Sequence, residues 1–170
     1  MKFQLAADST GPVNAEVPSQ PIGSTPTSIN GIALQLYLAK RQSTGAVLVV
    51  FALQMDASAR SHLNSESVPL GLSANADPKF GGTLTKASVS GVALLDPAGL
   101  KKYETYMSNP SDDATCLCSL VGPGTSGSGV AGASATTSYY AALVAAPPPS
   151  VTSVSFVTGL GTIGNVTLSR

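Results

Sequence analysis

The sequence has little charge of either sign. Charged residues make up 11% of its 170 residues, and nine basic side chains balance nine acidic ones. A protein that binds nucleic acid or an anionic membrane surface neutralises phosphates with an excess of Lys and Arg. The composition therefore argues against both kinds of partner, and it also argues against a chain kept disordered by its own charge.

Long apolar segments are missing as well. No stretch of 18 apolar residues is present, and residues 1–8 include one lysine and no apolar run of seven or more. The sequence therefore predicts no membrane-spanning segment and no signal peptide within the chain. If the protein is exported, we expect its signal peptide to have been removed.

Residue types that catalytic and metal sites use are scarce. The sequence has no Trp, one His and two Cys. A serine hydrolase would need His62 as its base, yet His62 lies in a polar stretch where histidine is usually a solvated loop residue. Zinc needs three or four ligands, and only Cys116, Cys118 and the distant His62 are on offer. We therefore predict no catalytic residue, no metal site and no cofactor.

Two glycine-rich stretches match the spacing of a dinucleotide-binding loop, at residues 122–127 and 159–164. That loop needs a helix after it and an acidic residue about 20 positions further on. The second stretch has six residues left before the end of the chain, and no Asp or Glu occurs after Asp113. With 17 glycines in the chain, both matches are attributed to chance.

What the sequence has in abundance are residues of strands and turns, with 38 Ser and Thr, 17 Gly and 12 Pro. Alternating residues from Ile32 to Ala39 and the apolar stretch Val47 to Met55 predict a hairpin that turns at Gly45. Further strand patterns, each bounded by turn signals, occur at residues 83–95, 101–107, 116–121, 136–146, 151–157 and 165–168. The alanines of residues 130–146 also allow a helix, but we favour a strand for the second half. The prediction is an all-β, immunoglobulin-like antiparallel β-sandwich of seven or eight strands.

The domain organisation is predicted to be simple. Residues 1–28 repeat proline among Ser, Thr, Asn and Gly without apolar periodicity, which is typical of a flexible spacer. Residues 29–170 then form the β-sandwich domain. The polar connection of residues 56–82 is favoured as a binding surface, because functional residues often lie on loops over a rigid scaffold.

Cys116 and Cys118 are the residues with most chemical content. On a strand, residues two apart point to the same face, with Cα atoms roughly 6.5 Å apart, near the upper limit for a disulfide. Closing a bond therefore needs a bend, and we favour such a strained structural disulfide. A thiol-exchange role, a pair of reduced thiols and a Cu(I) site are the alternatives. No Lys, Arg or His lies within ten residues to lower a thiol pKa, which weighs against thiol exchange.

Several short stretches, in their order along the chain, carry a resemblance. They are Ser90–Pro97, Lys101-Lys102-Tyr103, Cys116-Leu117-Cys118-Ser119, Tyr140-Ala141-Ala142, Ala146-Pro147-Pro148, Val151–Val154 and Asn165–Leu168. Residues 28–170 resemble uncharacterised exported immunoglobulin-like domains of actinobacteria, of the kind found in lipoproteins or before OmpA-like peptidoglycan-binding domains. The resemblance implies an extracellular or cell-envelope location and a non-catalytic role. No OmpA-like domain follows in this sequence, so it gives no support for anchoring to the cell wall.

We therefore expect a non-catalytic exported domain that binds or spaces through surface complementarity, with a protein or a cell-wall component as partner. The tyrosines are its candidate contacts, because they bring large area with few rotors: Tyr103, Tyr106, Tyr139 and Tyr140. Two alternatives remain open. One is a thiol-disulfide or copper-handling protein that uses Cys116 and Cys118, and the other is a structural component of a surface or virion assembly.

Overall fold

The structure is a computed structural model that describes residues 2–5, 13–56, 89–107, 116–118 and 137–170. Within these ranges every regular secondary-structure element is a β-strand. The strands in chain order are β1 (Lys2–Leu5), β2 (Val13–Glu16), β3 (Gly23–Pro26), β4 (Ile32–Arg41), β5 (Ala46–Met55), β6 (Ala93–Asp96), β7 (Lys101–Glu104), β8 (Thr137–Ala145), β9 (Ser153–Thr158) and β10 (Gly161–Thr167). The described ranges contain no helix that could span a lipid bilayer.

Eight of these strands form two antiparallel sheets, and β1 pairs with β2 in a separate hairpin. The first sheet has the order β3-β4-β5-β8, and the second has the order β10-β9-β6-β7. Apolar residues of both sheets meet in one buried cluster, which is the arrangement of a β-sandwich. The prediction of an all-β antiparallel β-sandwich is confirmed.

The hairpin of β4 and β5 forms as its sequence pattern predicts. Nine of the ten residues of β5 are buried, because one face meets the main core and the other meets a second apolar cluster. Gly45 has a φ of 80°, a left-handed conformation that costs glycine little. The amide of Gln42 donates to the carbonyl of Ala46 at 2.8 Å and closes the turn. The predicted turn at Gly45 is confirmed.

Aromatic rings from both sheets meet at the centre of the core. The ring of Phe51 on β5 lies 5.4 Å from that of Tyr140 on β8 and 5.2 Å from that of Phe156 on β9. All three residues are at most 1% exposed. Such aromatic contacts stabilise a core beyond their buried area, so these rings bind the two sheets together.

Strand β8 settles the choice between helix and strand for the second half of the alanine-rich segment. It pairs with β5 from Ala46↔Ala145 to Gln54↔Thr137. Alternate side chains, including Tyr140 and Val144, point into the main core, while Ala141 and Leu143 join the second cluster. The preference for a strand is confirmed, and residues 130–136 lie outside the described residues.

The first sheet begins before residue 29, where we expected the folded domain to start. Strand β3 pairs with β4 from Gly23↔Leu36 to Pro26↔Ala33. It has no apolar alternation and is held by backbone pairing at a sheet edge, a position where proline is tolerated. Other segments with sequence-based predictions lie outside the described residues: residues 57–82 with His62, residues 83–88 and 119–121 of two predicted strands, and the glycine-rich stretch at 122–127.

The lateral edges of the two sheets are joined to each other. On one side the amide of Ser28, just after β3, donates to the carbonyl of Leu160 between β9 and β10 at 2.9 Å. On the other side the chain that leaves β7 crosses to the first sheet, where Thr105 pairs with Val144 of β8. This crossing places β7 beside the end of β8 and positions the candidate site.

Candidate interaction surface

Cys116 and Cys118 are bonded to each other, and their Cα atoms are 5.1 Å apart. The chain bends at Leu117, as the short spacing requires, and the separation lies within the ordinary range for disulfides. Cys116 pairs with Met107, and Cys118 pairs with Ala142 of β8. The disulfide therefore lies between the crossing segment and the edge of the first sheet.

The residue between the two cysteines belongs to a closed ring of backbone hydrogen bonds. The amide of Leu117 donates to the carbonyl of Tyr106, that of Tyr106 to Leu143, and that of Leu143 to Leu117, each at 2.9 Å. Three segments that are distant in sequence are thus fixed to one another. The disulfide keeps Leu117 in the bend that this ring requires.

The four candidate tyrosines occupy different environments. Tyr140 is 1% exposed in the core, which removes it from the interaction surface. Tyr139 is half-buried on the outer face of the first sheet, where its ring lies 5.3 Å from that of Tyr37. Burial and the neighbouring Tyr139 raise the pKa of Tyr37 to about 12. Tyr103 and Tyr106 remain as surface candidates at the crossing from β7 to β8.

An open cleft of about 630 Å³ lies beside this crossing. Its described walls are the end of β4 with Arg41 and the turn after it, the strand β7 with Lys101 and Tyr103, and the three prolines 147–149 that follow β8. The side chain of Tyr106, 40% exposed, extends towards the same turn, with its hydroxyl 3.4 Å from the carbonyl oxygen of Gly45. The structure therefore brings Tyr103 and Tyr106 to one region of the surface.

Arg41 builds one wall of the cleft by holding the proline segment. Its guanidinium donates to the carbonyls of Pro147 at 2.7 Å, Pro148 at 3.0 Å and Val151 at 2.7 Å. The amide of Val151 donates to the carbonyl of Pro148, so the segment is a turn. Prolines cannot donate backbone hydrogen bonds, and the planar guanidinium supplies the donors that the segment lacks.

The described residues that line the cleft carry a net positive charge. Arg41 and Lys101 line the cleft, and neither forms an ion pair with a described residue. The next lysine along β7 differs, because the ammonium of Lys102 lies 3.0 Å from a carboxylate oxygen of Glu104. Residues alternate between the sides of a strand, so Lys101 and Tyr103 share the side towards the cleft while Lys102 and Glu104 share the other.

The turn before β7 presents an unusual apolar residue. Leu100 is 87% exposed and has a φ of 50°, in the left-handed region that is unfavourable for a leucine. The preceding turn begins at Asp96, whose carboxylate accepts from the amide of Ala98 at 3.0 Å. Leu100 gains little from packing within the chain, and it directly precedes Lys101 of the cleft.

The structure assembles a site that the sequence pattern identified only in part. Tyr103 and Tyr106 are candidates from the sequence, whereas Arg41, Lys101 and the prolines 147–149 are not. Arg41 meets the prolines across more than a hundred residues of chain, and no local pattern signals such a contact. The available signal in the sequence was the position of Arg41 just before a predicted turn.

No protein-family model, curated protein or solved structure matches the chain. Within the described residues, no three His, Cys, Asp or Glu side chains come together in a group that could hold a metal ion. The cleft and the disulfide are the features that bear on function.

Proposed function

We propose that the chain is a non-catalytic binding domain of the extracellular space or cell envelope, and that the cleft between Arg41, Lys101 and the prolines 147–149 contacts its partner. The immunoglobulin-like character of the sandwich, an actinobacterial origin and removal of a signal peptide belong to the same proposal. They depend on the sequence resemblance of residues 28–170 and on the low-charge, hydroxyl-rich composition.

The observation that supports binding is the concentration of unsatisfied features at one place. The open cleft has two cations, Arg41 and Lys101, without a carboxylate among its described lining residues, and the exposed Leu100 and Tyr106 flank β7, which forms one side of it. Exposed aromatic and apolar residues beside a concave polar surface are typical of interaction sites. A spacer alone needs none of these features.

The experiment compares retention of the purified protein on isolated cell-envelope material and on secreted material of the source organism. We expect one of these materials to retain the wild-type protein, and Lys101→Gln to lower the amount of protein retained. Lys102→Gln is the matched control, because it makes the same charge change on the other side of β7. No retention of the wild-type protein, or an equal loss with both variants, would contradict the proposal.

A second candidate function is thiol-disulfide exchange at Cys116 and Cys118. The observation in its favour is that both cysteines are only half-buried, so that a thiol reagent can approach the bond. The closed hydrogen-bond ring around Leu117 argues for a structural role instead, since exchange would release that residue. Cys118→Ser should abolish exchange with glutathione while the fold survives if this second candidate is correct.

A further inference from the structure

We propose that the cleft binds an extended peptide that carries carboxylates, and that this peptide adds to the edge of β7. The inference deepens the proposed binding function and rests on it. Three observations support it. They are the separation of β7 from the proline segment that follows β8, the positive charge of the described lining residues, and a buried hydroxyl without a described partner.

The gap between β7 and the proline segment is the place where the strand of a bound peptide would lie. Thr105 pairs with Val144 in antiparallel register. Stepping two residues back from Thr105 and two forward from Val144 places Tyr103 opposite Ala146, and both residues line the cleft. Beyond Ala146 the chain continues as prolines, which have no N–H to donate, so antiparallel pairing with β7 does not continue there.

Among the described residues, the edge of β7 beside the cleft is therefore unpaired. Strand β7 is the last strand in the order β10-β9-β6-β7, and no described strand pairs with its side away from β6. Edge strands bind extended peptides through main-chain hydrogen bonds, while side chains of the groove select the sequence. The side chains of Lys101, Lys102 and Glu104 are exposed, as is common for an edge kept from pairing at random.

The charges of the groove select for carboxylates. Arg41 donates three hydrogen bonds to described backbone carbonyls, which are neutral, so its full positive charge remains beside the cleft. Lys101 adds a second positive charge to the lining of the cleft. No carboxylate lies among the described lining residues, so the field at the cleft attracts an anion.

Tyr103 adds a polar group that the described structure does not satisfy. Its hydroxyl is buried and has no hydrogen-bond partner among the described residues. A buried hydroxyl without a partner costs free energy, which a bound group recovers when it supplies the hydrogen bond. The ring packs against the core, and Tyr103 lines the cleft together with both cations.

The test uses two labelled peptides that differ only in charge, an alternating Glu-Thr octapeptide and its Gln-Thr counterpart, with binding followed by fluorescence anisotropy. We expect the Glu peptide to bind more tightly than the Gln peptide, with an affinity that falls as salt is raised. Lys101→Gln should weaken binding of the Glu peptide by about fivefold, the upper range for an exposed ion pair, while Lys102→Gln changes it less than twofold. Equal binding of the two peptides, or equal effects of the two variants, would overturn the inference.

Hydrogen exchange of the backbone amides provides a second measurement that does not depend on any variant. Addition to the edge predicts slower exchange for residues 101–104 when the Glu peptide is bound, and unchanged exchange there excludes it. Polygalacturonate serves as a sugar acid in a parallel titration. If it binds with dependence on Lys101 and the Glu peptide does not, the peptide is the wrong class of ligand. Retention on envelope or secreted material without binding of the Glu peptide contradicts this inference alone, whereas loss of both contradicts the proposed function as well.

Discussion

A methyl group added to Gly23 of β3 would lie 2.5 Å from the Cγ2 atom of Ile163 on β10. The two residues belong to different sheets, so the first strand of one sheet lies directly on the edge strand of the other. Cγ2 is fixed to the branched Cβ of isoleucine and cannot move away without a change of rotamer or backbone. The missing side chain of Gly23 is what allows this side of the sandwich to close.

We predict that Gly23→Ala lowers the free energy of unfolding by about 1–3 kcal/mol, the usual cost of overpacking. Gly164→Ala is the control, because the nearest atom to its added methyl is the Ser155 hydroxyl at 3.9 Å. Urea unfolding of the single variants and of Gly23→Ala with Ile163→Ala measures the effect. The double variant should show a favourable coupling between the two sites, and equal stability of the two glycine variants would contradict the close contact.

Loss of the guanidinium of Arg41 should destabilise the proline turn. Arg41→Met keeps the apolar stem and removes three hydrogen bonds to carbonyls, so we expect a loss of about 2 kcal/mol. Arg41→Lys should recover only part of it, because an ammonium lacks the planar arrangement of donors. The measurement is the urea midpoint, with Lys40→Met as the neighbouring control. A midpoint for Arg41→Met that matches this control would show that the three bonds contribute little.

Leu100 combines exposure with an unfavourable backbone conformation. Leu100→Asn should raise stability by about 1 kcal/mol, since asparagine tolerates the left-handed region. Leu100→Ala removes the same apolar surface but keeps the strain, so it should not raise stability. If Leu100 contacts the partner, both variants should be retained less than the wild-type protein on the material that binds it. A rise in the melting temperature of both variants would show that exposure, and not φ, is the cause.

Burial raises the pKa of Tyr140 to about 12 from an ordinary value of 10. The unfolded chain therefore releases this proton first, and stability that is fully present below pH 10 is lost as the pH rises towards 12. Tyr140→Phe, which has no proton to lose, should show a shallower fall over this window. Stability measured by urea unfolding from pH 8 to pH 12 checks this, and parallel curves for the two proteins would contradict it.

The disulfide closes a very short loop, so its effect on the unfolded chain is small. For three residues the loop-closure relation gives about 1.5 kcal/mol, and we expect the Cys116→Ser, Cys118→Ser double variant to remain folded with roughly this loss. A redox titration read by intact mass after alkylation separates the two candidate roles. A potential below about −300 mV fits a structural bond, whereas one between about −120 and −230 mV supports thiol exchange.

Local patterns predicted the strands that local residues determine. The alternation of Ile32 to Ala39, the apolar stretch of β5 and Gly45 specify a hairpin without help from the rest of the chain, and that hairpin forms. Strand β3 has no such pattern in its sequence. It pairs with β4 through its backbone, and Gly23 leaves the space that Ile163 occupies. Its partner on the other sheet, Ile163, is known only once the fold is known.

The candidate site was less accessible to prediction than the fold. Exposure of Tyr106 and burial of Tyr140 follow from which face of each strand meets the core, and a change of register by one residue reverses that assignment. The hydrogen bonds of Arg41 to the proline segment join residues that lie far apart in sequence, and so does the ring of backbone hydrogen bonds through Leu117. The resemblance to exported immunoglobulin-like domains stays a prediction.

The pairing of β5 also imposes an order on folding. Its partner β4 lies immediately before it, but its other partner, β8, begins only at Thr137. Contacts that close long stretches of chain form slowly, because loop entropy opposes them until they are complete. We therefore expect a newly made chain to hold an apolar hairpin with one unpaired edge until β8 is made. During that interval a second chain can donate its own β8 to the hairpin, which makes β8 the strand to examine in any dimer or aggregate formed on refolding.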